Sequence, residues 1–186
     1  MKPLLFSILF FVGLLSFAQP MLTPREVTDE ISMKVPLELN QEPPTLQRST
    51  STTLAMFISR DRRSDLSVNK SQLRWSEADE ELLSQFYKAN ILNIYDQVDM
   101  IQEEIKEING QKFIVFEFSG QVVDEPNAFK EAKRRSDYTY IQYAIVEDGI
   151  LVFRFTTSGR LKNYWQEAIR KSMDSVEMKE GKKKKK

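Results

Sequence analysis

The spacing of apolar residues along this chain changes period several times, and each change marks an element. Leu4 to Leu15 is an almost unbroken apolar run, preceded by Lys2 and followed by Ser16 and Ala18. A charged start, an apolar centre and small residues before a cleavage point are the signature of an export leader, here cleaved between Ala18 and Gln19. The run is shorter than the ~20 residues that cross a bilayer, which argues for a leader and against a stable membrane anchor. Residues 19–30 (QPMLTPREVTDE) carry prolines and no period, so they are expected to form a flexible linker. Ile31 to Val35 (ISMKV) alternates until Pro36 stops it and predicts a strand. The polar stretch NQEPPTLQRSTST reads as a loop, and LAMFIS (54–59) and DLSVN (65–69) read as two strands joined by the turn RDRRS.

Ser76-Glu77-Ala78-Asp79 has the form of a capping box, which predicts a helix starting at Ser76. Leu82, Phe86 and Ala89, flanked by Leu83, Asn90 and Ile94, follow helical spacing and are expected to face the core. Val98 to Ile108 fits a helix through Ile101, Ile105 and Ile108, but Asn109-Gly110 is the preferred pair of a tight type I′ turn. After that turn, Lys112 to Val123 (KFIVFEFSGQVV) is apolar on both faces, as a central strand covered on both sides must be. The stretch is therefore read as a hairpin. A second hairpin runs from Tyr138 to Glu147, turns at Asp148-Gly149 and returns over Ile150 to Thr157. Leu161, Trp165, Ala168, Ile169 and Met173 restore helical spacing. Between the hairpins, NAFKEAKRRSD reads as a loop or short helix with a basic end. The order predicts an α+β fold: an α/β/α sandwich with a mainly antiparallel central sheet flanked by helices. It forms one domain over 31–178, followed by a disordered lysine tail over 179–186.

Composition narrows the chemistry. The chain has no histidine and no cysteine. It therefore lacks the usual general base near neutral pH, the commonest nitrogen ligand for zinc, thiol nucleophiles, thiolate metal sites and disulfides. Carboxylates, Ser–Lys pairs and tyrosines remain, but none forms a recognisable catalytic set. The chain is read as non-catalytic, without cofactor or metal. Charge is balanced overall at 27 basic and 27 acidic residues, but Lys2 belongs to the leader and five lysines to the tail. The body keeps 21 basic against 27 acidic residues, a net charge near −6. A body of that sign is a poor nucleic-acid binder.

Several motifs have a chemical and a plain reading. Ser67-Val68-Asn69-Lys70 matches S-x-x-K, yet it lies in a strand, where residues three apart face opposite sides, and its companion triplets are absent. The sequon Asn69-Lys70-Ser71 marks surface at most. The acids at the start of the predicted helix (Glu77, Asp79, Glu80, Glu81) match the helix dipole better than a calcium site. Glu103 with Glu104, or Asp96 with Asp99, are carboxylate pairs with nothing in their spacing to place them across a cleft. Arg74-Trp75 can form an interface anchor, or pack as a staple over the helix start. Lys133, Arg134 and Arg135, with Lys130 and beside Tyr138 and Tyr140, form a basic patch suited to an anionic ligand or to solvent. Arg74, Trp75, Lys133, Arg134 and Arg135 are the candidate contact residues. Lys182, Lys183, Lys184, Lys185 and Lys186 lack apolar partners and can give at most weak contact with an anionic surface.

The chain also resembles the PsbP-like family, which includes extrinsic photosystem II subunits, a Ran-binding nuclear import factor and exported bacterial proteins. The likeness rests on ISMKVP, on KFIVFEFSG after an Asn-Gly turn, on TYIQYAIVEDGILVFRFTTSG, and on YWQEAIRKSMDSV. The most specific part is a DG hairpin, a strand ending in Thr-Thr-Ser, a Trp-bearing helix and then Met-Asp-Ser-Val. The resemblance implies a docking or accessory module and transfers no functional residue. The expectation is an exported binding domain, periplasmic or secreted, that docks to a protein partner. The alternative is a binder of a small molecule or anionic polymer.

Overall fold

The computed structural model describes residues 19–43, 47–48, 51–76, 79–124 and 133–179. The expected leader (1–18), most of the loop between the hairpins (125–132) and the lysines 182–186 lie outside the described residues. The elements, in order, are β1 (Leu22–Glu26), β2 (Ile31–Pro36), β3 (Leu39–Glu42), β4 (Gln47–Arg48), β5 (Ser51–Ser59) and β6 (Ser64–Ser71). There follow α1 (Glu80–Ile94), β7 (Gln97–Ile108), β8 (Gln111–Asp124), β9 (Lys133–Val146), β10 (Gly149–Ser158), α2 (Lys162–Met173) and β11 (Glu177–Met178).

The large sheet has the order β3-β5-β6-β10-β9-β8-β7, with β4 paired to β5, and a small sheet has the order β1-β2-β11. Every pairing between described strands is antiparallel. One face of the large sheet is covered by α2, through Trp165, and by the small sheet, over Leu66, Val68, Phe113, Val115, Phe153 and Phe155. The other carries α1, over Ile114, Phe116, Phe118, Ile141 and Tyr143. The α/β/α sandwich is therefore present, with a second antiparallel sheet beside α2.

Both hairpins form. Asn109 (φ 50°) and Gly110 (φ 82°) make a left-handed two-residue turn, joining β7 to β8 with Ile108 opposite Gln111. Phe113 to Phe118 are all buried, because their alternating side chains enter the two cores in turn. The second turn falls one residue earlier than its composition suggested. Gly149 pairs with Val146, so Glu147-Asp148 is the loop and Gly149 opens β10. A Cβ at Gly149 would lie 2.0 Å from the Ser71 carbonyl oxygen of β6, so this glycine serves strand contact.

Three expectations need correction. Residues 22–26, read as part of a flexible linker, form β1, whose backbone pairs with β2 from Leu22 opposite Pro36 to Glu26 opposite Ser32. The stretch read as a loop (40–52) holds most of β3, all of β4 and the start of β5, because β3 and β4 at the sheet edge need backbone partners more than apolar side chains. The first helix begins at Glu80, not Ser76. The Ser76 hydroxyl donates to the Asp79 carboxylate (2.6 Å), and Asp79 makes no side-chain cap to the helix.

The rotation of α1 also differs from the periodicity. Leu83 and Ile91 are buried, while Leu82, Phe86 and Ala89 are exposed. The helix offers two overlapping apolar stripes, and packing selects the one containing Tyr87, which stacks on Tyr143 of β9. In α2 the expected face is kept: Trp165, Ala168, Ile169 and Met173 are buried.

Candidate functional site

The five candidate residues fall at opposite ends of the large sheet. Arg74 and Trp75 follow β6 at the end where Ser71 pairs with Ile150. Arg134 and Arg135 pair with Val123 and Val122 near the start of β9, with Lys133 opposite Asp124. Ten strand residues separate Arg135 from Ile145, the partner of Ile150, so the two groups lie about 33 Å apart. They cannot form one site. Arg134 and Arg135 are exposed, and the Arg135 Nε donates to Asp137 (3.1 Å). Lys130 lies outside the described residues.

Arg74 and Trp75 line a cleft of about 1270 Å³ between the end of the large sheet and the start of β2. Lys70 crosses its wall to Asp148 at 2.6 Å and holds that carboxyl below the usual carboxylate range. Asp29, Glu30 and Glu147 also line it, as does Lys179, so no single charge dominates. A smaller pocket of about 180 Å³ lies where Glu80 at the start of α1 meets Lys112 of β8 at 3.3 Å.

Trp75 is half-buried and joins the core under α1. Its ring lies 6.1 Å from Phe86, Phe86 meets Tyr87 edge-on at 5.4 Å, and Tyr87 stacks on Tyr143. Trp75 thus packs over the first turns of α1, as a staple does. At the same time it extends an outer apolar surface formed by Leu82 (57% exposed), Phe86 (43%) and Leu73 (50%). Sequence periodicity identified Leu82 and Phe86 as apolar but assigned them to the core.

The polar groups that sequence reasoning missed lie on the other face. Glu117 of β8 is fully buried yet accepts hydrogen bonds from the Tyr138 hydroxyl (3.1 Å), Gln166 (2.5 Å) and Arg170 (2.7 and 3.0 Å). Beside it, the Lys106 ammonium donates to Asp174 (2.6 Å) and to the Tyr140 hydroxyl (3.2 Å). Burial and the neighbouring Glu117 charge push the Tyr138 phenol far above its ordinary range. Gln166, Arg170 and Asp174 recur every fourth residue and face β7 and β8, so this network ties α2 to the sheet. Its carboxylate is fully engaged, and its role is attachment. The signal was a lone Glu inside the apolar run FIVFEF, which requires a buried cation or donor set.

The S-x-x-K residues are separated by their own ladder. Ser67 accepts from the Asn69 side chain (3.1 Å), while Lys70 is engaged with Asp148. Glu103 pairs with Lys88 of α1 (2.7 Å) and Asp96 accepts the Val123 backbone N–H (2.7 Å). Glu103 and Glu104, adjacent in β7, point to opposite faces.

No protein-family model matches the chain, and no curated protein sequence matches it. Solved structures do. The solution structure of cyanobacterial PsbP (CyanoP) from Synechocystis sp. PCC 6803 superposes with a TM-score of 0.56 at 14% identity, covering 88% of this chain and 95% of that one. The chain has the PsbP-like fold. At 14% identity the likeness shows the fold alone. Two further structures are similar at lower scores: the Saccharomyces cerevisiae Ran-binding protein Mog1p (TM-score 0.49, 11% identity, 86% and 96% coverage) and a Pseudomonas aeruginosa protein of unknown function (0.48, 9%, 84% and 95%). Within this PsbP-like fold, the exposed apolar side chains of Leu82 and Phe86 lie on the outer side of α1, with Trp75 beside Phe86.

Proposed function

We propose that the chain is an exported, non-catalytic accessory domain of the PsbP-like family, which docks onto a protein partner through the surface of Trp75 and the outer side of α1. One observation carries this reading: α1 turns Leu82 and Phe86 to solvent while a second stripe, Leu83–Tyr87–Ile91, fills the core. A large exposed aromatic with a Trp beside it is the composition of an interface anchor. Export rests on the leader pattern of residues 1–18.

The test is crosslinking in the native cells, followed by affinity recovery of the tagged mature protein and mass spectrometry. One stoichiometric partner is expected, recovered by the native chain and lost with Leu82→Glu or Phe86→Glu, with melting temperature unchanged. Equal recovery by these variants would sink the reading. The alternative, a small-molecule or anionic-polymer binder, is favoured by the 1270 Å³ cleft at Arg74. It predicts instead a rise in melting temperature with ligand that Arg74→Ala abolishes.

A further inference from the structure

The sheet face that carries α1 is covered along one side and open along the other. α1 packs against β8. On its far flank Lys88 reaches Glu103 of β7 at 2.7 Å, so the flank bearing Phe86, where Trp75 meets it, is turned towards β10 and β6. There, among the described residues, the face continues without a helix over it. Cross-strand pairing sets Thr139, Thr156, Asp65 and Ile58 in one rung, and Ile141, Arg154, Ser67 and Met56 in the next. Tyr87 stacks on Tyr143, whose rung continues through Val152 to Asn69, so Phe86 stands beside that part of the floor and Asp65 lies four residues further along β6, about 13 Å away. The floor extends two strand spacings, about 10 Å, from β9 to β6, the width of one helix or extended chain.

The floor holds a partly desolvated carboxylate. Asp65 is half-buried, and among the described residues no donor bonds it and no cation lies within 4 Å of it. Its neighbour Arg154 donates instead to Thr156 (3.0 Å). Burial holds the Asp65 carboxyl above its ordinary range, with Asp137 adding to the rise and Arg154 opposing it. The Thr139 hydroxyl in the same rung is buried with no partner. Glu117, on the opposite face, shows what a satisfied buried carboxylate looks like in this protein. A desolvated carboxylate without a partner costs stability and is complementary to a cation brought from outside.

We infer that this open face takes a segment of a partner protein that carries apolar side chains against Leu82 and Phe86 and a lysine or arginine against Asp65. The inference rests on the docking reading above and adds the partner's chemistry. The net negative body likewise favours a basic partner segment. An anionic membrane fits less well, because the first turn of α1 bears Glu80 and Glu81 and its last turn no basic residue.

The full chain is titrated with a labelled twelve-residue peptide of alternating leucine and lysine, and with its leucine–glutamate counterpart, by fluorescence anisotropy. The leucine–lysine peptide is expected to bind. Phe86→Ala should weaken it at least tenfold and Asp65→Asn at least fivefold, while Asp29→Asn, which removes an exposed acid elsewhere, changes it less than twofold. Equal weakening by Asp29→Asn, or equal binding of the leucine–glutamate peptide, would overturn the proposal. So would co-sedimentation of the full chain with phosphatidylglycerol vesicles, or a peptide-independent dimer in sedimentation that Phe86→Ala dissolves. If Phe86→Ala alone abolishes binding and Asp65→Asn has no effect, the docking surface stands and the basic partner falls.

Discussion

Tyr87 of α1 lies flat on Tyr143 of β9, with ring centroids 3.7 Å apart and planes within 14°. Tyr143 also receives Phe116 edge-on at 6.2 Å, so its ring is fixed from a second side. With Tyr87 held down, Leu83 one turn before and Ile91 one turn after follow it into the core. The stripe through Leu82 and Phe86 is left outside. One aromatic contact therefore decides which side chains the helix offers to other molecules.

Removing that contact should loosen α1 selectively. Tyr87→Ala is expected to cost about 2 kcal/mol, because Tyr87 is half-buried and its loss removes both area and stacking. Hydrogen exchange should show α1 amides losing protection while those of α2 keep theirs. Uniform loss across both helices would mean that the stack does not set α1 alone.

Arg170→Ala strips Glu117 of two hydrogen bonds and its counter-ion. Leaving a buried carboxylate uncompensated costs about 3–5 kcal/mol in a fully buried pair. Arg170 is 44% exposed, so solvent already screens the pair and about 2–3 kcal/mol is expected. Urea unfolding measures this. Arg170→Ala with Glu117→Gln should be less damaging than Arg170→Ala alone, since the amide needs no counter-ion.

Asp65 gives a pH dependence of definite sign. Its folded-state pKa is raised by burial, so its contribution to stability is complete below the unfolded value and is lost as pH rises through the folded value. Arg154 and Asp137 are the charges that act on it, the first opposing the rise and the second adding to it. Asp65→Asn should therefore stabilise the fold at pH 7, by an amount that shrinks towards zero as the pH falls below 4. Thermal melts of both proteins across that range check it, and a variant less stable at pH 7 would refute it.

Gly120 of β8 is closed over by Tyr95, whose ring carbons would lie 2.4–2.8 Å from an added Cβ. Gly120→Ala should displace Tyr95 from its edge-on contact with Phe118 and cost about 1–3 kcal/mol. Tyr95→Ala in the same background should recover part of that loss. No recovery would place the strain in the strand and not in the ring.

The sequence by itself determined the elements whose signals are local. Asn109-Gly110 forced the first hairpin turn because two successive left-handed residues close it. The doubly apolar run Phe113–Phe118 required a strand with cover on both sides, and the Trp165–Ile169–Met173 spacing fixed the inner face of α2. Alternation in DLSVN predicted the strand β6, with Leu66 and Val68 on one side and Asp65, Ser67 and Asn69 on the other. Tertiary structure alone decided the rest. Between two apolar stripes of α1 the choice depended on Tyr143, 56 residues beyond Tyr87, which no local period can register. β1 exists because β2 needs a backbone partner, and backbone hydrogen bonds leave no side-chain pattern. The sequence offered Arg74–Trp75 and Lys133–Arg135 as separate candidates, and the antiparallel register of β9 and β10 put them about 33 Å apart. Local patterns report how a segment is built, and only long-range pairing places the segments together.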